Sequence, residues 1–159
     1  MQVRDATEDD IEAVRAVADG AWRRDYPNAL SQETIESGVS HWYGDAVVRM
    51  ELSNPGTEFR VAEIDGEVVG FVHANQSGPA VTILRLHVLP DYRNRGVAEE
   101  LLEVIESEMG TNKEPLRATV LEANDQMMSF YAEHGFERIK TDRTTIGEGQ
   151  HPEVVLEGP

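Results

Sequence analysis

The sequence predicts an α+β fold, a mixed and mainly antiparallel central sheet flanked by helices, in one domain spanning residues 1–159. Three observations predict it. Three β-like runs, 58–64, 67–75 and 80–89, follow one another, and Asp65-Gly66 between the first two is a pair that type I′ hairpin turns favour. Residues 96–109 form a clear amphipathic pattern: Val97, Leu101, Ile105 and Met109 make one stripe, and Ala98 and Leu102 widen it. The overall order is strand, two helices, three strands, helix, strand, helix, two strands, which suits helices covering one sheet. A chain of 159 residues suits a single hydrophobic core.

The elements follow in order. Residues 2–6 form a first strand. Thr7, with Asp10 three positions on, offers a variant capping box for a helix carrying Ile11, Val14, Val17, Ala18, Ala21 and Trp22 at helical spacing. Tyr26-Pro27-Asn28 ends that helix. A weaker helical stretch runs over 31–52, with Gly38 or Gly44 as its interruption, and Asn54-Pro55-Gly56 is a turn. Ser77-Gly78-Pro79 separates the second and third strands of the central series, and Pro90 ends the third. Gly110 caps the clear helix. Residues 116–121 read as a strand. Asn124 caps a helix running through His134, with Gly135 just beyond its end. Residues 136–146 and 153–156 are the last strands, separated by Gly147-Glu148-Gly149-Gln150.

Composition narrows the function. There is no cysteine, which excludes disulfides, thiolate metal sites and a cysteine nucleophile. The five histidines are scattered at 41, 73, 87, 134 and 151, so no metal site is expected. The net charge of −16 opposes nucleic-acid binding. No apolar run approaches the roughly 20 residues of a membrane span. Arg4 stands against Asp5, Glu8, Asp9 and Asp10, the wrong balance for a signal peptide, so a cytoplasmic protein is expected. All but Lys113 and Lys140 of the 14 basic residues are arginine. Heavy acid with scarce lysine resembles proteins of salt-loving microbes, and a halophilic archaeal source is expected. In molar salt a Debye length of about 3 Å screens such self-repulsion.

Residues 84–98 carry the chemistry. They read as a strand, a Pro-broken turn and a basic, Gly-containing turn that opens a helix. A helix N-terminus presents unpaired N–H groups and the positive end of the macrodipole, which suits a phosphate or pyrophosphate. Gly96 lets an anion approach the backbone, Ala98 is small, and Arg93 and Arg95 add charge in an acidic chain. Spacing alone serves an ordinary helix start with a solvated basic turn equally well.

Arg93, Gly96 and Ala98, following Pro90-Asp91-Tyr92, resemble the Gln/Arg-x-x-Gly-x-Gly/Ala motif of the Gcn5-related N-acetyltransferase (GNAT) superfamily. A second, independent segment resembles it too: Asn124, then Phe130-Tyr131-Ala132-Glu133-His134-Gly135-Phe136. The resemblance implies a GNAT-like sheet and acetyl-CoA as co-substrate. It implies that the backbone amides of Asn94, Arg95, Gly96, Val97 and Ala98 hold the pyrophosphate, with Arg93 and Arg95 adding charge. The strand at Leu86, His87 and Val88 would pair with the pantetheine arm, and the N–H near Val88 would polarise the thioester carbonyl. Asn124 would bond that arm or hold the loop, and Tyr131 would protonate the leaving thiolate as general acid. Trp22 and Tyr26 would shape the acceptor side, although Trp22 also suits a core position.

The acceptor implied is a primary amine on a small molecule or a peptide. The family's usual base positions fall here on Thr82 and Thr119, neither of which can act. His87, His73, Glu122 and Glu63 are nearby candidates, with His87 read as structural because it alternates with Leu86 and Val88. Members of the family are often dimers, so a homodimer is an expectation carried by the resemblance. The same motifs fit a non-catalytic acyl-CoA-binding module, and an unrelated phosphate-binding domain would share only the helix N-terminus.

Overall fold

Alternating apolar residues build a seven-stranded sheet in the order β1-β2-β3-β4-β5-β7-β6. The structure is a computed structural model that describes residues 1–26, 29–109 and 114–159. β1 is Gln2–Asp5, and a 3-10 turn at Glu8–Asp10 leads into α1, Ile11–Asp25. α2 is Gln32–Trp42 and α3 is Asp45–Ser53. The central meander is β2 (Thr57–Ile64), β3 (Glu67–Ser77) and β4 (Ala80–Val88). A second 3-10 turn, Pro90–Tyr92, precedes α4 (Val97–Met109), β5 (Arg117–Leu121), α5 (Asp125–Glu133), β6 (Glu137–Ile146) and β7 (Gly149–Glu157). Every neighbouring pair is antiparallel except β4 with β5. The expected α+β architecture is therefore present. The stop expected at Gly110, and the Pro27-Asn28 part of the break after α1, lie outside the described residues.

Local chemistry explains the boundaries. Asp65 and Gly66 both take positive φ, 53° and 79°, as a type I′ turn requires. The 31–52 stretch divides at Gly44, whose extended backbone precedes α3. Gly38 does not interrupt anything. It lies inside α2, where a Cβ would sit 2.6 Å from Trp22 Cζ3 and 2.9 Å from Ile146 Cγ2. Its role is to let α2 approach the Trp22 ring. β7 begins four residues earlier than the pattern suggested, because Ile146 pairs with Gly149 and the connection is the two residues Gly147-Glu148. Arg4 closes the N-terminal end with two 2.8 Å bonds to Asp10 and one of 2.6 Å to Glu63, while the Thr7 N–H donates to Asp10 at 2.8 Å.

The sheet has a core on each face. On one, Val72, Ile83 and Leu86 pack with Leu101, Leu102 and Ile105 of α4 and with Tyr131 of α5. Gly70 permits that contact, since a Cβ there would stand 3.1 Å from Val97 Cγ1. On the other face, Phe59, Val61 and Phe71 meet Val14, Ala18 and Trp22 of α1. Trp22 is the centre of this side, with edge contacts to Tyr26, Trp42 and Tyr43 at centroid distances of 5.3, 5.2 and 6.4 Å.

The feature that positions the site is a divergence in the sheet. β4 and β5 pair only at Thr82–Arg117 and Ile83–Ala118. On its other edge β4 stays bonded to β3 through Val88, but His73 pairs with Arg85 and Ala74 with Ile83. Leu84 is therefore an extra residue, a bulge, and a bulge bends its strand and sharpens the local twist. The bend falls where β4 leaves β5, and a V-shaped gap opens beyond it.

Gly38→Val tests the packing of α2 on Trp22. Two methyl groups and a Cβ have no room there, so overpacking is expected to lower stability by about 1–3 kcal/mol. Urea denaturation reads this directly; an unchanged midpoint would show that the contact is not limiting.

Candidate active site

The turn before α4 presents a run of main-chain N–H groups to open space. Asn94 and Gly96 take positive φ, 63° and 80°, turning successive peptides so that their N–H groups converge. The first helical bond is Glu100 N–H to Gly96 C=O, 3.0 Å. The six main-chain N–H groups from Asn94 to Glu99 find no acceptor among the described residues. Space in front of Gly96 is open, with nothing within 4 Å of where a Cβ would stand. Arg95 lies over the Tyr92 ring at 5.1 Å. Val97 and Ala98 continue the cradle along a surface cleft that Gln126 and Phe130 of α5 complete on the far side.

Arg93 departs from its expected role. Its guanidinium donates to both carboxylate oxygens of Asp25, at 2.7 and 3.1 Å, to Gln126 Oε1 at 3.0 Å and to the Val88 carbonyl at 3.3 Å. Its charge is matched by a buried carboxylate instead of standing free for a phosphate. Arg93 ties the end of α1, the end of β4 and the start of α5 together.

Beyond Leu84, β4 has one bonded and one open edge. Leu89 N–H donates to Val69 C=O, so Arg93 reaches Val88 C=O from the opposite side. Strand alternation then turns the N–H groups of Leu86 and Val88 to the open edge, with His87 facing β3. An extended chain laid in the gap would meet these donors. Asn124 has both ends of its amide engaged: Oδ1 accepts from Met127 N–H at 3.0 Å, and Nδ2 donates to the Tyr26 hydroxyl at 3.1 Å. Of its two implied roles, holding the loop is the one visible in these bonds, and Tyr26 is fixed by the same group.

Between the diverging strands lies a cleft walled by Trp22, Tyr26, Trp42, Arg85, Tyr131 and Glu153. Tyr131 is 1% exposed and packs against Phe136 at 5.0 Å. Burial pushes its hydroxyl well above the ordinary tyrosine range, and the hydroxyl makes no hydrogen bond among the described residues. Trp22 serves both readings, since it is fully buried in the core and still lines the cleft. Trp42 and Tyr43 join the same aromatic group.

The candidate bases sort by their partners. His73 Nδ1 sits 2.8 Å from Glu51, Glu63 is bonded to Arg4, and Glu122 faces Arg138. His87 lines the cleft but is packed between Tyr43 and Phe71, and burial, with Arg85 and Arg93 nearby, lowers its pKa to about 3. An imidazole so reluctant to accept a proton is a poor base. Thr82 lies at the first of the two steps that β4 pairs with β5, and Thr119 lines the cleft. The sequence missed Glu153. It lies on β7 opposite Leu121 of β5 and lines the cleft, and its carboxylate forms no hydrogen bond or ion pair among the described residues. Burial raises its carboxyl above the usual range, with Arg85 opposing the shift. It stood within a predicted strand, but only the β5–β7 pairing brings it to the gap. Arg85 was missed for the same reason; its guanidinium stacks on Trp42 at 4.3 Å.

Among the described residues no cluster of His, Cys, Asp or Glu could hold a metal ion, and no helix is long and apolar enough to cross a membrane.

Comparison with known proteins places this geometry. Residues 15–136 match the acetyltransferase (GNAT) family. A spermidine N(1)-acetyltransferase of Thermoplasma acidophilum is 28% identical over 149 residues, covering 89% of this chain and 91% of its own. An acetyltransferase of Pectobacterium atrosepticum is 30% identical over 102 residues, covering 64% of this chain and 71% of its own. Among solved structures, the PaiA N-acetyltransferase of T. acidophilum in complex with coenzyme A superposes with a TM-score of 0.87 at 26% identity, over 99% of this chain and 97% of that one.

The Arg93–Asp25 tie can be tested by removing one partner. Asp25 has a side chain only 4% exposed and Arg93 one 15% exposed. Asp25→Ala leaves a largely buried guanidinium unmatched and is expected to destabilise the fold by about 3 kcal/mol. A loss under about 0.5 kcal/mol in chemical denaturation would show that the tie is not structural.

Proposed function

The chain belongs to the acetyltransferase (GNAT) family, whose co-substrate is acetyl-CoA, and from that premise we propose that it acetylates a primary amine by direct attack in a ternary complex. The observation that carries the proposal is the pairing of two unfilled features. Six unpaired N–H groups at the head of α4 sit beside an unpaired stretch of β4, matching a pyrophosphate followed by an extended, amide-bearing arm. The acetyl group would then lie in the cleft beside Tyr131 and Glu153. The spermidine-acetylating relative supports a small-molecule acceptor. The acidic surface supports a protein adapted to molar salt.

The residues divide the chemistry between them. An alkylammonium has a pKa near 10 and is not nucleophilic until it loses a proton. Glu153 takes that proton, its carboxylate being made more basic by burial. The freed nitrogen attacks the thioester carbon while the Val88 N–H holds the carbonyl oxygen as negative charge develops. The C–S bond breaks as the C–N bond is kept. Tyr131 donates its proton to the departing thiolate and regains one from the nitrogen, which must shed its second proton to become an amide; burial disfavours a lasting phenolate. The products are an N-acetylated amine and free CoA, and no cysteine is needed.

Thermal melting in molar KCl tests the first half. Acetyl-CoA is expected to raise the melting temperature of the parent and not of Gly96→Glu, which puts a carboxylate into the anion cradle. No shift in the folded parent would sink the assignment. Turnover tests the second half. Tyr131→Phe is expected to lower kcat by about 10²- to 10⁴-fold with the thermal shift retained. Full binding with no turnover on any amine would leave an acyl-CoA-binding module instead.

The pH profile tests Glu153. The base must be ionised, so kcat/KM falls as pH drops through its pKa, and burial places that limb above the ordinary glutamate range. In Glu153→Gln the limb is expected to disappear along with most of the activity. An unchanged limb would assign the base elsewhere.

A further inference from the structure

The cleft between β4 and β5 holds two opposite charges that do not meet. The Arg85 side chain stacks on Trp42, donates from Nη1 to the Leu84 carbonyl at 2.9 Å and lies close to the Tyr43 hydroxyl. No carboxylate lies within 4.0 Å of it among the described residues, in a chain with 30 acidic residues. Glu153, on the other wall, is likewise without an ion pair. The two stand on strands separated by β5, so their backbones are on the order of 10 Å apart, two strand spacings, before the splay widens the gap.

The wall around Arg85 is rich in donors. Trp22 Nε1 and the Tyr43 hydroxyl are buried without a hydrogen-bond partner among the described residues. Trp22 lines the cleft, and the Arg85 charge is felt at Tyr26, Tyr43 and Glu153 alike. A ligand that fills the cleft excludes water from the half-buried Arg85 and Glu153, and a desolvated charge needs a partner of opposite sign.

Resting on the acyltransferase reading, we infer that the acceptor is an amine that also carries a carboxylate, with its ammonium toward Glu153 and its carboxylate on Arg85. An amino-acid-like zwitterion bridges the two charges. A polyamine would satisfy Glu153 but bring further positive charge against Arg85, so the same side chain selects for one class and against the other. The net charge of −16 attracts cations to the surface as a whole; Arg85 sets the sign inside the cleft.

The experiment uses the full chain and acetyl-CoA, with release of the CoA thiol as readout. Four acceptors are compared: an L-amino acid, its amide, the corresponding decarboxylated amine, and spermidine. The parent is expected to favour the amino acid over its amide by about tenfold to a hundredfold in kcat/KM, the range of a hydrogen bond to a charged group. In Arg85→Gln this ratio is expected to fall to near one through a rise in KM for the acid. In Arg85→Glu the order is expected to invert toward spermidine. A parent that prefers spermidine or the plain amine overturns the inference, as does a ratio unchanged in Arg85→Gln. Should the variants not fold, the parent's own ranking of the four acceptors decides. A retained acetyl-CoA thermal shift with no turnover on the amino acid also overturns it, whereas loss of that shift in the parent overturns the acyltransferase reading itself.

Discussion

The divergence of β4 from β5 after two paired residues is the constraint on which the rest of the molecule depends. A continuous sheet would have no opening, no free N–H groups at Leu86 and Val88, and no cleft for Tyr131 and Glu153 to face. The bulge at Leu84 supplies the bend on the β3 side, where a full ladder keeps β4 in place while its other edge is released. One extra residue thus separates a strand that is structural on one side from a strand that is available on the other.

An opening in a sheet must be held at a fixed width. Arg93 performs this from the rim by gathering Val88, Asp25 and Gln126 around one guanidinium. Asn124 performs it from within by joining the head of α5 to Tyr26 at the end of α1. Both ties reach α1, the helix that bears Trp22. The wall against which an acceptor would rest is therefore fastened to the loop that would receive the pyrophosphate, and displacement of either is transmitted to the other through short bonds.

Local signals in the sequence were readable and long-range ones were not. Asp65-Gly66, the α4 stripe and Asn124 as a cap each express a preference that a few neighbouring residues determine, and each stands in the structure as read. The divided helix was readable only in part, because Gly38 and Gly44 look alike until Trp22 is seen packed on one of them. β7 was read short because residues 149–152 are polar and held by pairing with β6, not by burial of their own. The turn at Asn94 to Gly96 and the helix start after it were legible from Gly96. Glu153 and Arg85 were not, since each owes its place in the cleft to a strand pairing or a bulge that joins distant parts of the chain. Arg93 was legible as a residue of the site but not in its partner, for Asp25 lies on another helix.

An unpaired strand edge is ordinarily a hazard, because it offers a template to any other extended chain and so to self-association. Here the free edge of β4 is not at the rim of the sheet but inside it. β5 stands on one side of the gap, and α5 and the α4 turn close its end. A slot of this shape admits one slender extended chain and excludes the flat edge of another sheet. The splay thus also guards against aggregation: the open stretch of β4 lies away from the rim of the sheet, where another extended chain would most readily pair.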